Sequence, residues 1–215
     1  MKTRIGIVLS IVLLVIGGCA DTKSHSKGIY MLLDSSGTYA KELKGAQAII
    51  NYFLGTLSPG DSFGIARIDS ASFSEKDIII KTTFDGRPSV TNKQKRLFKQ
   101  TIDKFVKNVR GSKFTDITGG ILQAAEYLNE AGAGKKYILI YSDLKEDIVK
   151  GHIRDFPIDV VGCEVVALNV TKLRSDNIDP RKYYKRVEKW KARVEDGGGT
   201  FRVVNDLNRL ENIIS

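Results

Sequence analysis

The sequence predicts an α/β protein of three layers, a doubly wound and mostly parallel sheet with one antiparallel edge strand. Residues 29–33 (Ile, Tyr, Met, Leu, Leu) form a continuous apolar run too short for a helix, the pattern of a strand buried on both faces. Two more runs of this kind, at 136–142 and 160–170, alternate along the chain with segments of helical period, and that alternation gives a parallel sheet covered on both sides. Residues 62–69 and 77–84 are strand candidates joined by a short serine-rich turn, which makes them an antiparallel pair at the sheet edge.

The chain opens on a segment outside this fold. Lys2 and Arg4 precede a nearly unbroken apolar stretch, 5–16, and Gly17, Gly18 and Cys19 follow it. A cationic start, an apolar middle and small residues at a cleavage point make a secretion signal. The stretch falls short of the roughly 20 apolar residues that span a bilayer. Ile16, Gly17, Gly18 and Cys19 resemble a bacterial lipobox, which implies a signal peptide over 1–18, acylation of Cys19 and attachment to a membrane of the cell envelope. Ala20, where an aspartate would favour retention at the inner membrane, points to the outer membrane if the organism has one. Residues 19–27 are polar and suit a tether, which leaves 28–215 as a single domain. With Cys19 acylated, Cys163 has no intrachain partner for a disulfide, and its valine-rich setting reads as a buried structural thiol.

Within the domain, residues 39–57 place Leu43, Ala46, Ile49, Ile50, Phe53 and Leu57 at helical spacing, and Ser58, Pro59, Gly60 and Asp61 end that helix. The antiparallel pair follows and closes at Asp85, Gly86, Arg87 and Pro88. Leu97, Ile102, Phe105 and Val109 predict a helix over 92–109, and Ile121, Leu122, Ala125 and Leu128 another over 115–131. After the strands at 136–142 and 160–170, a basic helix over 179–195 repeats Tyr183, Val187, Trp190 and Val194, with Trp190 in the core or packed on the sheet. Three glycines, 197–199, turn the chain into a last strand, 200–204, and 206–214 closes as an amphipathic helix.

Polar clusters stand where these elements end. Open α/β sheets bind ligands at the C-terminal ends of their strands. Asp34, Ser35, Ser36 and Thr38 put one carboxylate and three hydroxyls there, hard oxygen donors suited to Mg²⁺. Thr115 and Asp116 open a helix, and Ser142 and Asp143 end the strand at 136–142, so neighbouring strands would bring all three groups to one edge. This set, in this order, resembles the von Willebrand factor type A (VWA) domain over about 28–214. The metal-ion-dependent adhesion site (MIDAS) of that family uses Asp-x-Ser-x-Ser, a distant Thr and a distant Asp. The resemblance assigns Asp34 and Ser36 to the first two positions, and Thr38 to the second serine with its hydroxyl kept. Thr115 and Asp143 take the distant positions, with Leu144 where many members have glycine.

What the resemblance implies is a Mg²⁺ or Mn²⁺ ion held by Ser36, Thr38 and Thr115, with Asp34 and Asp143 acting through water and charge. One side of the ion stays open to an Asp or Glu carboxylate of a protein partner. Neutral hydroxyls leave the cation poorly compensated, so an incoming carboxylate gains strongly from it. The implied function is binding, with no catalytic residues. Side chains at strand ends are expected to lie outside the packed core, so that changing one costs little stability.

Other chemistries fit less well. Asp34 after a buried strand also resembles a haloacid-dehalogenase-type phosphatase, but Ser36 stands where that chemistry needs an acid and base. A VWA-like scaffold that works without metal is the nearer alternative. Residues 132–135 (Gly, Ala, Gly, Lys) lack the Ser or Thr of a phosphate loop and lead into a strand instead of a helix. His25 and His152 are too far apart for a zinc set. The net charge of +9 falls to +7 without Lys2 and Arg4, which suits an acidic partner or an anionic membrane surface. No aromatic and basic motif for nucleic acid is present.

Overall fold

A run of apolar residues stays buried on both faces when parallel neighbours flank it and helices cover it, and residues 27–34 are placed in this way. The computed structural model describes residues 26–36, 39, 42–69 and 74–214. Strand β1 (Lys27–Asp34) lies between β2 (Ser62–Ile68) and β4 (Lys135–Tyr141) and runs parallel to both. With β3 (Ile78–Thr83), β5 (Cys163–Leu168) and β6 (Thr200–Val204), the described strands form one sheet in the order β3-β2-β1-β4-β5-β6. β3 alone among them is antiparallel to its neighbour, and it forms the edge predicted from the short serine-rich connection.

Alternate residues of β1 feed two cores. Ile29, Met31 and Leu33 pack with Ile49, Ile50 and Phe53 of α1 (Leu43–Thr56) and with Phe98 and Ile102 of α2 (Pro88–Asn108). Tyr30 and Leu32 pack instead with Ile121 and Leu128 of α3 (Ile117–Glu130) and with Trp190 and Val194 of α5 (Arg181–Asp196). A short α4 (Arg174–Ile178) precedes α5. The approach of α3 to the sheet is close: a Cβ on Gly120 would stand 2.6 Å from Ile68 Cγ2 and 3.1 Å from both Leu32 δ-carbons. Trp190 and Cys163 are both buried, as their settings predict.

Some boundaries differ from the sequence reading. α2 starts at Pro88, ahead of the first apolar repeat, because proline at the first helical position loses no hydrogen bond and has its φ preset. α4 has five residues and no apolar stripe to reveal it. The expected helix over 206–214 does not form, and a 3₁₀ turn at Leu210–Asn212 takes its place. There the Asp206 carboxylate accepts from Asn208 N at 3.0 Å, and Arg202 donates to the carbonyls of Asn212 and Ile213. These side chains bind backbone groups that a short, weakly nucleated helix would have to use.

Candidate metal centre

The chain passes from β1 to β2 on one side and reaches β4 on the other, so a crevice opens between the C-terminal ends of β1 and β4. Asp34 ends β1, and Ser142 and Asp143 directly follow β4. Ser142 Oγ donates to Asp34 Oδ2 at 2.7 Å, while Asp34 Oδ1 accepts from Ser36 N at 2.8 Å and lies 3.5 Å from Thr115 Oγ1. Asp34 thus gathers groups from three separated segments of chain. Thr38 and Cys19 lie outside the described residues.

Thr115 stands before α3 and not within it. Its backbone exchanges hydrogen bonds with Asp147, 2.7 Å from Thr115 N to Asp147 O and 2.9 Å in return. Asp116 then caps α3 by accepting from Gly119 N at 2.8 Å. Arg154 grips the Asp116 carboxylate through Nε and Nη2 at 2.8 to 3.2 Å, and that carboxylate is fully buried. Glu146 adds a second acceptor at the helix start, on Thr118 N at 2.8 Å. Ser36 is fixed from another side, since the chain beside it bridges to Ser112, whose N donates to Ser35 O at 2.7 Å.

Asp143 is held by its backbone. Arg186 of α5 donates to Asp143 O at 2.8 Å and ion-pairs with buried Asp176 at 2.8 Å, and Trp190 Nε1 donates to Leu144 O at 3.0 Å. Leu144 takes φ +64°, the left-handed region that glycine usually fills. Its side chain is buried against the core, which offsets that strain. Burial pushes the Asp143 carboxyl up; the hydrogen bond from Lys145 N opposes the rise, the charge of Asp34 adds to it, and Arg186 and Lys145 lower it.

The side chains of this site, expected outside the packed core, join neither apolar cluster but are largely withdrawn from solvent. Asp34, Thr115 and Asp143 are 1%, 3% and 6% exposed, and Ser36 is half-buried. Bridges from Ser112 to Ser36 and from Asp147 to Thr115 draw more distant chain onto the strand ends, a tertiary effect that spacing along the chain does not reveal. Ser35 Oγ is buried without a hydrogen-bond partner among the described residues. The two buried arginine pairs, Arg154 with Asp116 and Arg186 with Asp176, were not singled out from sequence, because single polar residues in loops carry no periodic signal.

Comparison with solved structures finds the same architecture. A point mutant of the PilB minor pilin from Streptococcus sanguinis aligns with TM-score 0.52 at 11% identity, over 92% of this chain and 60% of that one. The pilus adhesin SpaC from Lactobacillus rhamnosus GG, in an open conformation, aligns with TM-score 0.51 at 13% identity, over 88% and 29%. Manganese-loaded TRAP from Plasmodium vivax aligns with TM-score 0.50 at 12% identity, over 89% and 72%. The chain has the von Willebrand factor type A fold. No family model and no curated protein matches the sequence, so the fold is what these likenesses establish. In this domain of VWA-like fold, the hydroxyls of Ser142 and Thr115 stand beside Asp34 at the crevice. Among the described residues no group of three His, Cys, Asp or Glu side chains could hold a metal, so any ion here would depend on Ser and Thr oxygens.

Proposed function

We propose that the protein is exported, is anchored by lipid at Cys19, and binds a protein partner through a Mg²⁺- or Mn²⁺-dependent site made by Asp34, Ser36, Thr38, Thr115 and Asp143. The observation that carries this reading is the Asp34 carboxylate drawing Ser142, Thr115 and the Ser36 backbone together. A hydroxyl that gives its proton toward Asp34 has lone pairs left for a cation, and the donor set of neutral hydroxyls beside two carboxylates fits a hard divalent ion. Ser36 and Thr115, with Thr38, would hold the ion directly. Asp34 orients the hydroxyls, and Asp143 supplies charge that burial has made costly and that a cation would relieve. When bound, the ion supplies an electrophilic centre for a carboxylate of the partner.

The manganese of TRAP supports the metal reading, and the pilin and adhesin neighbours support binding over catalysis. Residues 1–18 would be removed as the signal peptide and 19–27 would tether the domain, 28–215, to the cell envelope, at the outer membrane where there is one. Cys19→Ser should leave an unprocessed precursor; processing and fractionation like wild type would refute the anchor.

Calorimetric titration of Mg²⁺ and Mn²⁺ into wild type, Ser36→Ala and Thr115→Ala tests the site. Wild type should bind and gain about 2.7 kcal/mol of stability at a hundredfold excess over the dissociation constant, and the variants should lose both. Equal binding by all three, or none by wild type, would leave a metal-independent scaffold of this fold.

A further inference from the structure

A second feature shares the edge of the sheet where the crevice opens. Between β3 and the C-terminal half of α2 runs a groove of about 450 Å³. Its floor is apolar, made by half-buried Ile79, Phe105 and Val109, and Arg67, Lys104 and Arg110 stand around it. Arg67 is engaged by Asp77 at 3.0 Å and Asp69 at 3.8 Å. Lys104 and Arg110 are exposed, and their side chains form no ion pair or hydrogen bond among the described residues. Elsewhere on α2, Lys99 pairs with Asp103 and Lys95 reaches Leu57 O. The uncompensated charge at the groove is thus Lys104 on α2 and Arg110 two residues beyond its end.

We infer that this groove seats an acidic segment of a protein partner, an apolar side chain resting on Phe105 and Val109 while carboxylates meet Lys104 and Arg110. The occupant is taken to be the partner of the proposed metal site, and the inference rests on that reading in this respect alone. Charge complementarity selects the acidic partner. The concave form selects a segment over a bilayer: apolar side chains that lie as a floor do not protrude far enough to enter lipid, as a membrane-seeking face must. The groove also lies near the crevice. Arg67 faces Leu33 in the sheet register, one residue before Asp34, and Ser112 links Asp69 to the chain at Ser35 and Ser36. One partner can therefore occupy both.

Fluorescence anisotropy tests it, with the full chain purified in detergent and a labelled peptide of alternating glutamate and phenylalanine as probe. The peptide should bind at low salt, in EDTA as well as in Mg²⁺, and a copy with lysine for glutamate should not. Lys104→Glu combined with Arg110→Glu should weaken binding by about tenfold or more, and both sites are exposed, so an unchanged melting curve is the control. Because the peptide should bind equally with and without Mg²⁺, failure of the metal site and failure of the groove are read separately. No binding by wild type, or equal binding by the charge-reversed chain, overturns the inference. So does charge-dependent binding of short-chain phosphatidylglycerol in place of the peptide, which would make the groove a lipid-facing surface.

Discussion

Replacing Arg154 with methionine is expected to be among the costlier single changes in the domain. The Asp116 carboxylate is fully buried and Arg154 is 17% exposed, with contacts of 2.8 to 3.2 Å between them. Removing one partner of a buried pair costs about 3–5 kcal/mol, because the remaining charge stays out of water. Methionine keeps most of the packing of the stem, so the lower end applies, about 3 kcal/mol. In a domain of this size each kcal/mol moves Tm by about 2–4 °C, which gives a fall of about 6–12 °C. Asparagine at 116 caps a helix as well as aspartate and carries no charge, so Asp116→Asn with Arg154→Met should return to within about 1 kcal/mol of wild type. Urea unfolding followed by Trp190 fluorescence measures all three proteins. A loss under about 1 kcal/mol for Arg154→Met, or a double variant no better than the single one, would refute the argument.

The buried Asp176 gives a pH test. Arg186 holds its carboxyl down at about 2, so its contribution is complete above about pH 4, the unfolded value, and is lost as pH falls toward 2. Asp176→Asn should therefore flatten the acid limb of the stability curve in that window; an unchanged limb counts against the pairing. Trp190→Phe keeps the ring in the core and removes the donor to Leu144 O, which should cost about 1 kcal/mol in urea titrations. Gly120→Ala places a methyl 2.6 Å from Ile68 Cγ2 and should cost about 1–3 kcal/mol, and a neutral effect would mean that α3 can shift away from the sheet.

The fold was legible because its strongest signals are local. A five-residue apolar run is too short for a helix that would cover a sheet, and a short turn between two strand candidates favours an antiparallel pair. The grouping of Asp34, Thr115 and Asp143 was legible only through the order of motifs, since it depends on β1 and β4 being neighbours. Their burial was not legible: it comes from the chain around Ser112 and Asp147 folding over the strand ends. The closing helix failed for a related reason. Its apolar spacing is real, and Ile213 does reach the core, but Asp206 and Arg202 bind the local backbone in another form.

The hold of α5 on the loop after β4 gives the crevice a mechanical lever. Arg186 and Trp190, one helical turn apart, grasp the successive carbonyls of Asp143 and Leu144. A ligand that draws Asp143 inward must either break both bonds or carry the helix with it, and α5 continues past them to Val194 in the core shared with α3. Occupancy of the site would then be readable at a distance, as a change in amide hydrogen exchange along α5. Arg186→Lys, which keeps the charge but not the two-sided grip, should uncouple that signal from ligand binding.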